Sequence, residues 1–176
     1  MKLLLPLSEF PGYDRILKRA QWTRTDHYTM CCRSELWGCA SLIMIAKKIT
    51  EHPNQALLCI LMRLAVDGEG WNYDQQKDIT INQIVRFARG SGYIAADSGF
   101  ELSLEEFHKN FLEILDGMNR SEEFKITRNG LPYNKGPVFA REEVLSVTCF
   151  TNEWNNRQYF CETPMSWFFF SWGTGA

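Results

Sequence analysis

The distribution of apolar residues along the chain predicts helices in its first two thirds. The run 40–49 is apolar on nearly all sides until its two lysines, which is typical of a helix buried through the middle of a domain. Asn54 is placed to cap a second apolar helix that extends to about Leu64. Thr80 precedes a third helix, which has apolar residues at helical spacing and closes at Gly90.

A capping box over residues 103–106, Ser-Leu-Glu-Glu, predicts the start of a fourth helix. In such a box the serine accepts a hydrogen bond from a free amide of the first turn, and Glu106 reaches back to the cap. The predicted apolar face of this helix is Phe107, Phe111, Leu112, Ile114 and Leu115.

After Gly117 the pattern changes to short runs of β-branched and aromatic residues separated by turns. Asn129-Gly130 and Asn155-Asn156 are hairpin-type turn signals, and the short connections favour antiparallel pairing. The predicted strands are 124–127, 138–140, 144–150, 158–161 and 166–171.

These elements predict a single α+β domain over residues 1–176. A helical layer of about residues 1–116 packs on a C-terminal antiparallel sheet of about residues 117–172. The composition agrees with a globular domain, since 45% of the residues are hydrophobic and 23% are charged.

Aromatic side chains crowd into the last quarter of the chain, and three consecutive phenylalanines, residues 168–170, must face both sides of a strand. One face covers the helices, and the other requires a further layer, a dimer partner or a bound polypeptide. An alternative cover is the apolar N-terminal segment from Leu3 to Phe10. A homodimer through the aromatic sheet is therefore one expectation.

Charge and hydropathy argue against two classes of partner. The net charge of −2 gives no overall attraction to a nucleic acid, and no apolar stretch reaches the roughly 18 residues of a membrane span. The opening Met1 to Leu7 contains a proline and lacks a small-residue cleavage site, so we expect a mature N-terminus and a cytoplasmic protein.

The six cysteines are expected to be reduced thiols, and Cys59 lies in an apolar run where it should be buried and inert. The sequence contains no paired C-x-x-C, and its three histidines are scattered, so we predict no metal site. Gly68-Glu69-Gly70 is typical of a turn rather than a phosphate-binding loop, and we expect no cofactor.

Five segments between about residues 30 and 165 resemble, in their order, the peptidase domain of bacteriocin-exporting transporters, the papain-like double-glycine leader peptidases. Residues 37–45, WGCASLIMI, are similar to the run in which that family's cysteine opens a buried helix. The segments 80–93 and 102–115 are similar to its next two helices, and 143–150 and 159–164 to its histidine-led and aspartate-ending strands.

The resemblance implies a degenerate member of that family. Its catalytic cysteine, histidine and aspartate fall on Trp37, Glu143 and Thr163, none of which can perform the family's chemistry. The implied function is a non-catalytic peptide- or protein-binding module, a pseudopeptidase that recognises a precursor or acts in inhibition or immunity. A groove beside the 144–150 strand would hold an extended peptide, and the predicted binding residues are Trp37, Glu143, Thr163, Trp154 and Trp167.

Two alternatives remain open. Cys39 could be the nucleophile of a cysteine-dependent hydrolase or acyltransferase, because the N-terminus of a helix lowers the pKa of a thiol; no histidine after His108 is available as its base. In the second, the helix carrying Arg86 and Arg89 belongs to a winged-helix nucleic-acid binder, although so few cations are more typical of a solvated helix face.

Overall fold

The computed structural model describes residues 24–34, 36–50, 52–69, 79–94, 99–135 and 143–174. The elements are β1 (Asp26–Cys31), β2 (Cys39–Ala46), α1 (Pro53–Glu69), α2 (Ile81–Gly90), β3 (Phe100–Glu101), α3 (Leu104–Arg120), β4 (Lys125–Arg128), β5 (Leu131–Pro132), β6 (Ser146–Glu153), β7 (Asn156–Glu162) and β8 (Ser166–Gly173). The strands form one antiparallel sheet in the order β3-β6-β7-β8-β2-β1-β4-β5. The α+β class is therefore confirmed.

The C-terminal strands follow the sequence pattern closely. β6, β7 and β8 form a meander, and β4 and β5 form a hairpin whose turn is Asn129-Gly130, with φ values of 51° and 80°. The second predicted turn is displaced by one residue, because Asn156 already belongs to β7 and the turn is Trp154-Asn155. The predicted strand 138–140 lies outside the described residues.

The predicted helix over residues 40–49 is wrong, because this segment forms β2 in the interior of the sheet. β2 pairs with β1 on one side and with β8 on the other, and apolar layers cover both of its faces. A strand buried on both faces is apolar at successive positions and cannot be distinguished from a buried helix by periodicity. The resemblance to leader peptidases itself stays a prediction.

The division into a helical N-terminal part and a C-terminal sheet is also wrong, since β1, β2 and β3 precede residue 116. The helices cover both faces of the sheet. α1 and α2 pack on the face that carries Ile43, Phe160 and Phe169, whereas α3 packs on the face that carries Leu42, Phe168 and Phe170.

Helix α3 thus provides the further layer that the aromatic strand requires. The three phenylalanines of β8 are at most 1% exposed, and Phe111 of α3 meets Phe170 edge-on, with ring centroids 4.9 Å apart. The aromatic faces therefore give no support for a dimer. The N-terminal segment proposed as an alternative cover lies outside the described residues.

Three details of α1 and α3 differ from the prediction. Asn54 lies inside α1 rather than at its cap, and its backbone N–H donates to Nδ1 of His52 at 3.3 Å. Ser103 caps α3 as predicted, accepting from the N–H of Glu106 at 3.2 Å, but the side chain of Glu106 accepts from Asn152 at 3.0 Å. Leu112, placed on the apolar face, is 53% exposed.

Candidate active site

The five residues predicted to bind a partner are divided between the two ends of the sheet, with Trp167 of β8 paired to Glu162 at the end that carries Thr163. Trp37, in the β1–β2 loop, and Trp154, in the β6–β7 turn, lie at one end of the sheet. Glu143, just before β6, and Thr163, at the end of β7, lie toward the opposite end. The expected groove does not form between its two walls, because β7 and β8 separate β2 from β6 in the sheet.

Two of these five residues are buried and form hydrogen bonds within the fold. Thr163 is buried, and its Oγ1 accepts a hydrogen bond from the backbone N–H of Ser166 at 2.9 Å across the β7–β8 turn. Trp167 is 3% exposed, and its Nε1 donates to the carbonyl of Thr50 at 3.1 Å. Both side chains are therefore committed to the fold.

Cys39 is the first residue of a strand, so the helix terminus expected to activate its thiol is absent. The thiol is exposed. The histidine nearest along the sheet, His27, already uses both ring nitrogens in other hydrogen bonds. The cysteine alternative thus has a reachable thiol but lacks its expected means of activation.

The structure instead brings together a serine, a histidine and an aspartate that sequence patterns did not connect. Nε2 of His27 lies 2.8 Å from Oγ of Ser41, and its Nδ1 lies 3.2 Å from Oδ2 of Asp67. A carboxylate only accepts hydrogen bonds, so the Nδ1–H donates to Asp67 and Nε2 of the neutral ring accepts from the Ser41 hydroxyl. This is the connectivity of a nucleophile, a base and the residue that orients the base.

Strand pairing sets the distance between the serine and the histidine. β1 and β2 are antiparallel with Thr29 opposite Ser41, so His27 and Ser41 are diagonal neighbours on one face. The backbone of His27 is fixed by Asn129: the N–H of His27 donates to Oδ1 at 2.9 Å, and the carbonyl of His27 accepts from the N–H of Asn129 at 2.7 Å.

The last turns of α1 supply the carboxylate of Asp67. Asp67 is held by Arg63, one turn earlier, at both oxygens: Nη2 lies 2.9 Å from Oδ1, and Nε donates at 3.0 Å to Oδ2, the oxygen that also accepts from His27. Burial raises the pKa of Asp67, but the hydrogen bond from His27 and the charge of Arg63 outweigh this effect and hold the pKa below its ordinary value. Asp67 is therefore a carboxylate that orients the imidazole ring.

Solvent reaches this group of side chains. The side chains of His27 and Asp67 are 19% and 32% exposed, and Ser41 is half-buried. Thr29 and Ser171 flank Ser41 in the cross-strand register, and both are half-buried on the same face. A row of three hydroxyl groups, from β1, β2 and β8, therefore crosses this part of the sheet.

The sequence carried partial signals of this arrangement. Residues 26–31 alternate, with Tyr28 and Met30 buried and His27 and Thr29 on the other face. Ser41 is a polar residue inside an apolar run. Only the pairing of β1 with β2 and the end point of α1 place the three side chains within hydrogen-bonding distance.

The described part of the chain contains no group of three or more metal-ligating side chains arranged to hold a metal ion. None of its helices is both long and apolar enough to span a membrane. Comparisons with protein-family models, curated proteins and solved structures found no match to this chain.

Proposed function

We propose that the protein is a serine-dependent acyl hydrolase, with Ser41 as the nucleophile, His27 as the general base and Asp67 as the residue that orients His27. The observation that carries the proposal is the continuous hydrogen-bonded connection from Ser41 through His27 to Asp67, at 2.8 Å and 3.2 Å. Such a connection is recognised by its geometry and roles rather than by the order of its residues along the chain.

In the proposed reaction, Oγ of Ser41 attacks the carbonyl carbon of an ester while Nε2 of His27 removes the hydroxyl proton. The same proton then passes to the leaving alcohol as the acyl–oxygen bond breaks. Water attacks the acyl-serine by the same route and releases the acid. The charge of Asp67 stabilises the imidazolium form of His27 between these steps.

The negative oxygen of the tetrahedral intermediate requires donors other than the amide of Ser41. β2 is paired on both sides at this position, so the backbone N–H of Ser41 is already used in a hydrogen bond between strands. The hydroxyl groups of Thr29 and Ser171 are its direct cross-strand neighbours, at a Cβ spacing of about 5 Å. We assign them as the donors, a role that serine and other side-chain groups fill in such sites.

Labelling with a fluorophosphonate and turnover of short-chain p-nitrophenyl esters test this proposal. Ser41→Ala should abolish labelling, and His27→Gln should lower the rate of ester turnover by about 10²- to 10⁴-fold, the usual contribution of a general base. Ser91→Ala is the matched control, since Ser91 is an exposed serine in the turn after α2. Equal labelling of Ser41→Ala and wild-type protein, both folded by circular dichroism, would refute the assignment.

A second candidate function is recognition of a peptide or protein partner, as the resemblance implies. It is favoured by Trp154, which is 70% exposed in a turn that is held in place by the N–H of Thr174 donating to the carbonyl of Asn155 at 3.0 Å. Leu36, 63% exposed, lies at the same end of the sheet. Tryptophan on a rigid support is a frequent energetic centre of interfaces.

Selection from a displayed library of extended peptides tests this second candidate. Trp154→Ala should weaken the selected peptides by at least about tenfold, the effect of losing a hot-spot residue. Leu145→Ala is the control, because Leu145 is also exposed, at 46%, but lies toward the other end of the sheet. Equal weakening by both substitutions would contradict a site at the Trp154 turn.

A further inference from the structure

The thiols of Cys31 and Cys39 are paired across the last position of the β1–β2 ladder. The two residues are direct Cα partners. Beyond them, the N–H of Cys32 donates to the carbonyl of Gly38 at 3.3 Å, which makes the pair 32/38 a hydrogen-bonded one. Because the two kinds of pair alternate along an antiparallel ladder, Cys31 and Cys39 form a non-hydrogen-bonded pair.

This kind of pair has the geometry that a disulfide needs. Its Cα atoms are about 4.5 Å apart and its side chains are close, which falls within the range of about 4.4–6.8 Å spanned by disulfides. The Cys39 thiol is close enough to contribute to the raised pKa of Cys31. A bond between their sulfur atoms therefore requires little movement of the backbone.

The two thiols differ in their surroundings. Cys39 is exposed and Cys31 is half-buried, whereas Cys59, Cys149 and Cys161 are buried. Burial, together with the neighbouring Cys39 thiol, raises the pKa of Cys31 to about 12. Since the thiolate is the reactive form, the first attack on an oxidant falls to Cys39.

We propose that Cys31 and Cys39 are an oxidation site that takes hydroperoxides and closes to a reversible intramolecular disulfide. The Cys39 thiolate attacks the O–O bond: an S–O bond forms, the peroxide is reduced to an alcohol or water, and Cys39 becomes a sulfenic acid. The Cys31 sulfur then displaces that oxygen, the S–S bond forms, and the oxygen leaves as water with the thiol proton. Two thiols and one hydroperoxide thus give one disulfide, one alcohol and one water.

Cys32 is the natural control for this site. It follows Cys31 directly, so its side chain points to the opposite face of the strand, where it packs at the edge of the α3 core. Its thiol donates to the carbonyl of Gly38 at 3.4 Å. A chemically unspecific oxidation would use Cys32 as readily as Cys31, whereas the paired geometry excludes it.

Tryptic mapping of the native protein after treatment with hydrogen peroxide provides the test. Cleavage at Arg24, Arg33 and Lys47 separates the peptide 25–33 from the peptide 34–47. A disulfide between Cys31 and Cys39 therefore appears as a linked pair of these two peptides, which dithiothreitol separates by reducing the bond. Wild-type protein and Cys32→Ser should give the linked pair, with a mass loss of about 2 Da, the two hydrogens of one disulfide. Cys31→Ser and Cys39→Ser should not give it.

Each other outcome overturns the proposal. Loss of the link in folded Cys32→Ser would assign the bond to Cys32. If peroxide converts Cys39 only to sulfinic acid, Cys31 does not reach the Cys39 sulfur. The same conclusion follows if peroxide gives only a disulfide between two chains, seen on a non-reducing gel. Folding of every variant is checked by tryptophan fluorescence, and oxidation of urea-unfolded protein gives the reference yield of unspecific links. The test does not depend on Ser41, so the two proposals can fail separately.

Discussion

Replacement of Gly117 by alanine is expected to destabilise the protein, although the same change stabilises most helices. Gly117 is a buried residue in α3. A Cβ atom at this position would lie 2.5 Å from Cζ2 of Trp37 and even closer to its Cδ2 and Cε2 atoms. These are ring atoms of Trp37, and the backbone carbonyl of Trp37 accepts a hydrogen bond from Nε1 of Trp172 at 2.8 Å. The indole therefore cannot easily retreat.

Two opposing terms set the magnitude. Alanine is favoured over glycine in a helix by about 0.5–1 kcal/mol. Overpacking of a fitted contact costs about 1–3 kcal/mol, and contact with three ring atoms places Gly117 in the upper part of that range. The expected net loss is about 1–2 kcal/mol. For a chain of this length that corresponds to a decrease in Tm of about 2–4 °C per kcal/mol.

Urea denaturation, followed by far-ultraviolet circular dichroism, gives the free energy of unfolding of four proteins: wild type, Gly117→Ala, Trp37→Ala and the double variant. Without the indole, Gly117→Ala should become stabilising by about 0.5–1 kcal/mol. Gly90→Ala, at the end of α2, is the matched control, because an added Cβ there meets nothing within 4 Å. If Gly117→Ala stabilises the wild-type background as Gly90→Ala does, the contact with Trp37 is not tight.

Two further predictions concern stability. Burial raises the pKa of Glu162, but the hydrogen bonds from Lys47 at 2.6 Å and Ser146 at 2.9 Å outweigh this effect and lower it. A carboxyl group whose pKa is lowered in the folded protein stabilises the fold at pH values above its unfolded pKa of about 4.3. This stabilisation is lost as the pH falls through the folded pKa. Glu162→Gln should therefore cost about 1 kcal/mol near pH 7, allowing for partial exposure, and progressively less as the pH falls below about 4.3; a difference in urea midpoint that stays constant from pH 7 into this acid range would contradict the assignment. Trp167→Phe removes the indole N–H that donates to the Thr50 carbonyl at 3.1 Å, while it keeps an aromatic ring in the core. Guanidinium denaturation should show a decrease of about 1–2 kcal/mol in the free energy of unfolding. An unchanged midpoint would mean that the buried carbonyl finds another donor.

Local chemistry was sufficient for the elements whose signals lie within a few residues. Ser103 and Glu106 mark the start of α3, and Asn129-Gly130 form the turn between β4 and β5 with positive φ at both positions. Alternating and aromatic runs predicted β6 to β8 because each strand pairs with its neighbour in sequence. Such signals predict the structure correctly because the interacting residues are close along the chain.

Two of the predicted functional residues, Trp37 and Cys39, depend on a helix that does not exist. The apolar run after them predicts a buried helix, and that run is β2. The base for Cys39 is expected from the C-terminal sheet, whereas His27 lies in β1. Its strand pairs with β4, which lies about a hundred residues later, with His27 beside Asn129. A contact over that separation has no local signal.

Sequence patterns are sufficient to predict an α+β chain, the three helices of the described residues, the C-terminal meander and an aromatic strand that needs cover on both faces. Tertiary packing makes residues 39–46 a strand, places α3 as the second cover, and brings Ser41, His27 and Asp67 together. The physical reason is that a doubly covered strand loses its periodicity. Side-chain constellations across strands are set by register, which depends on pairing with distant segments.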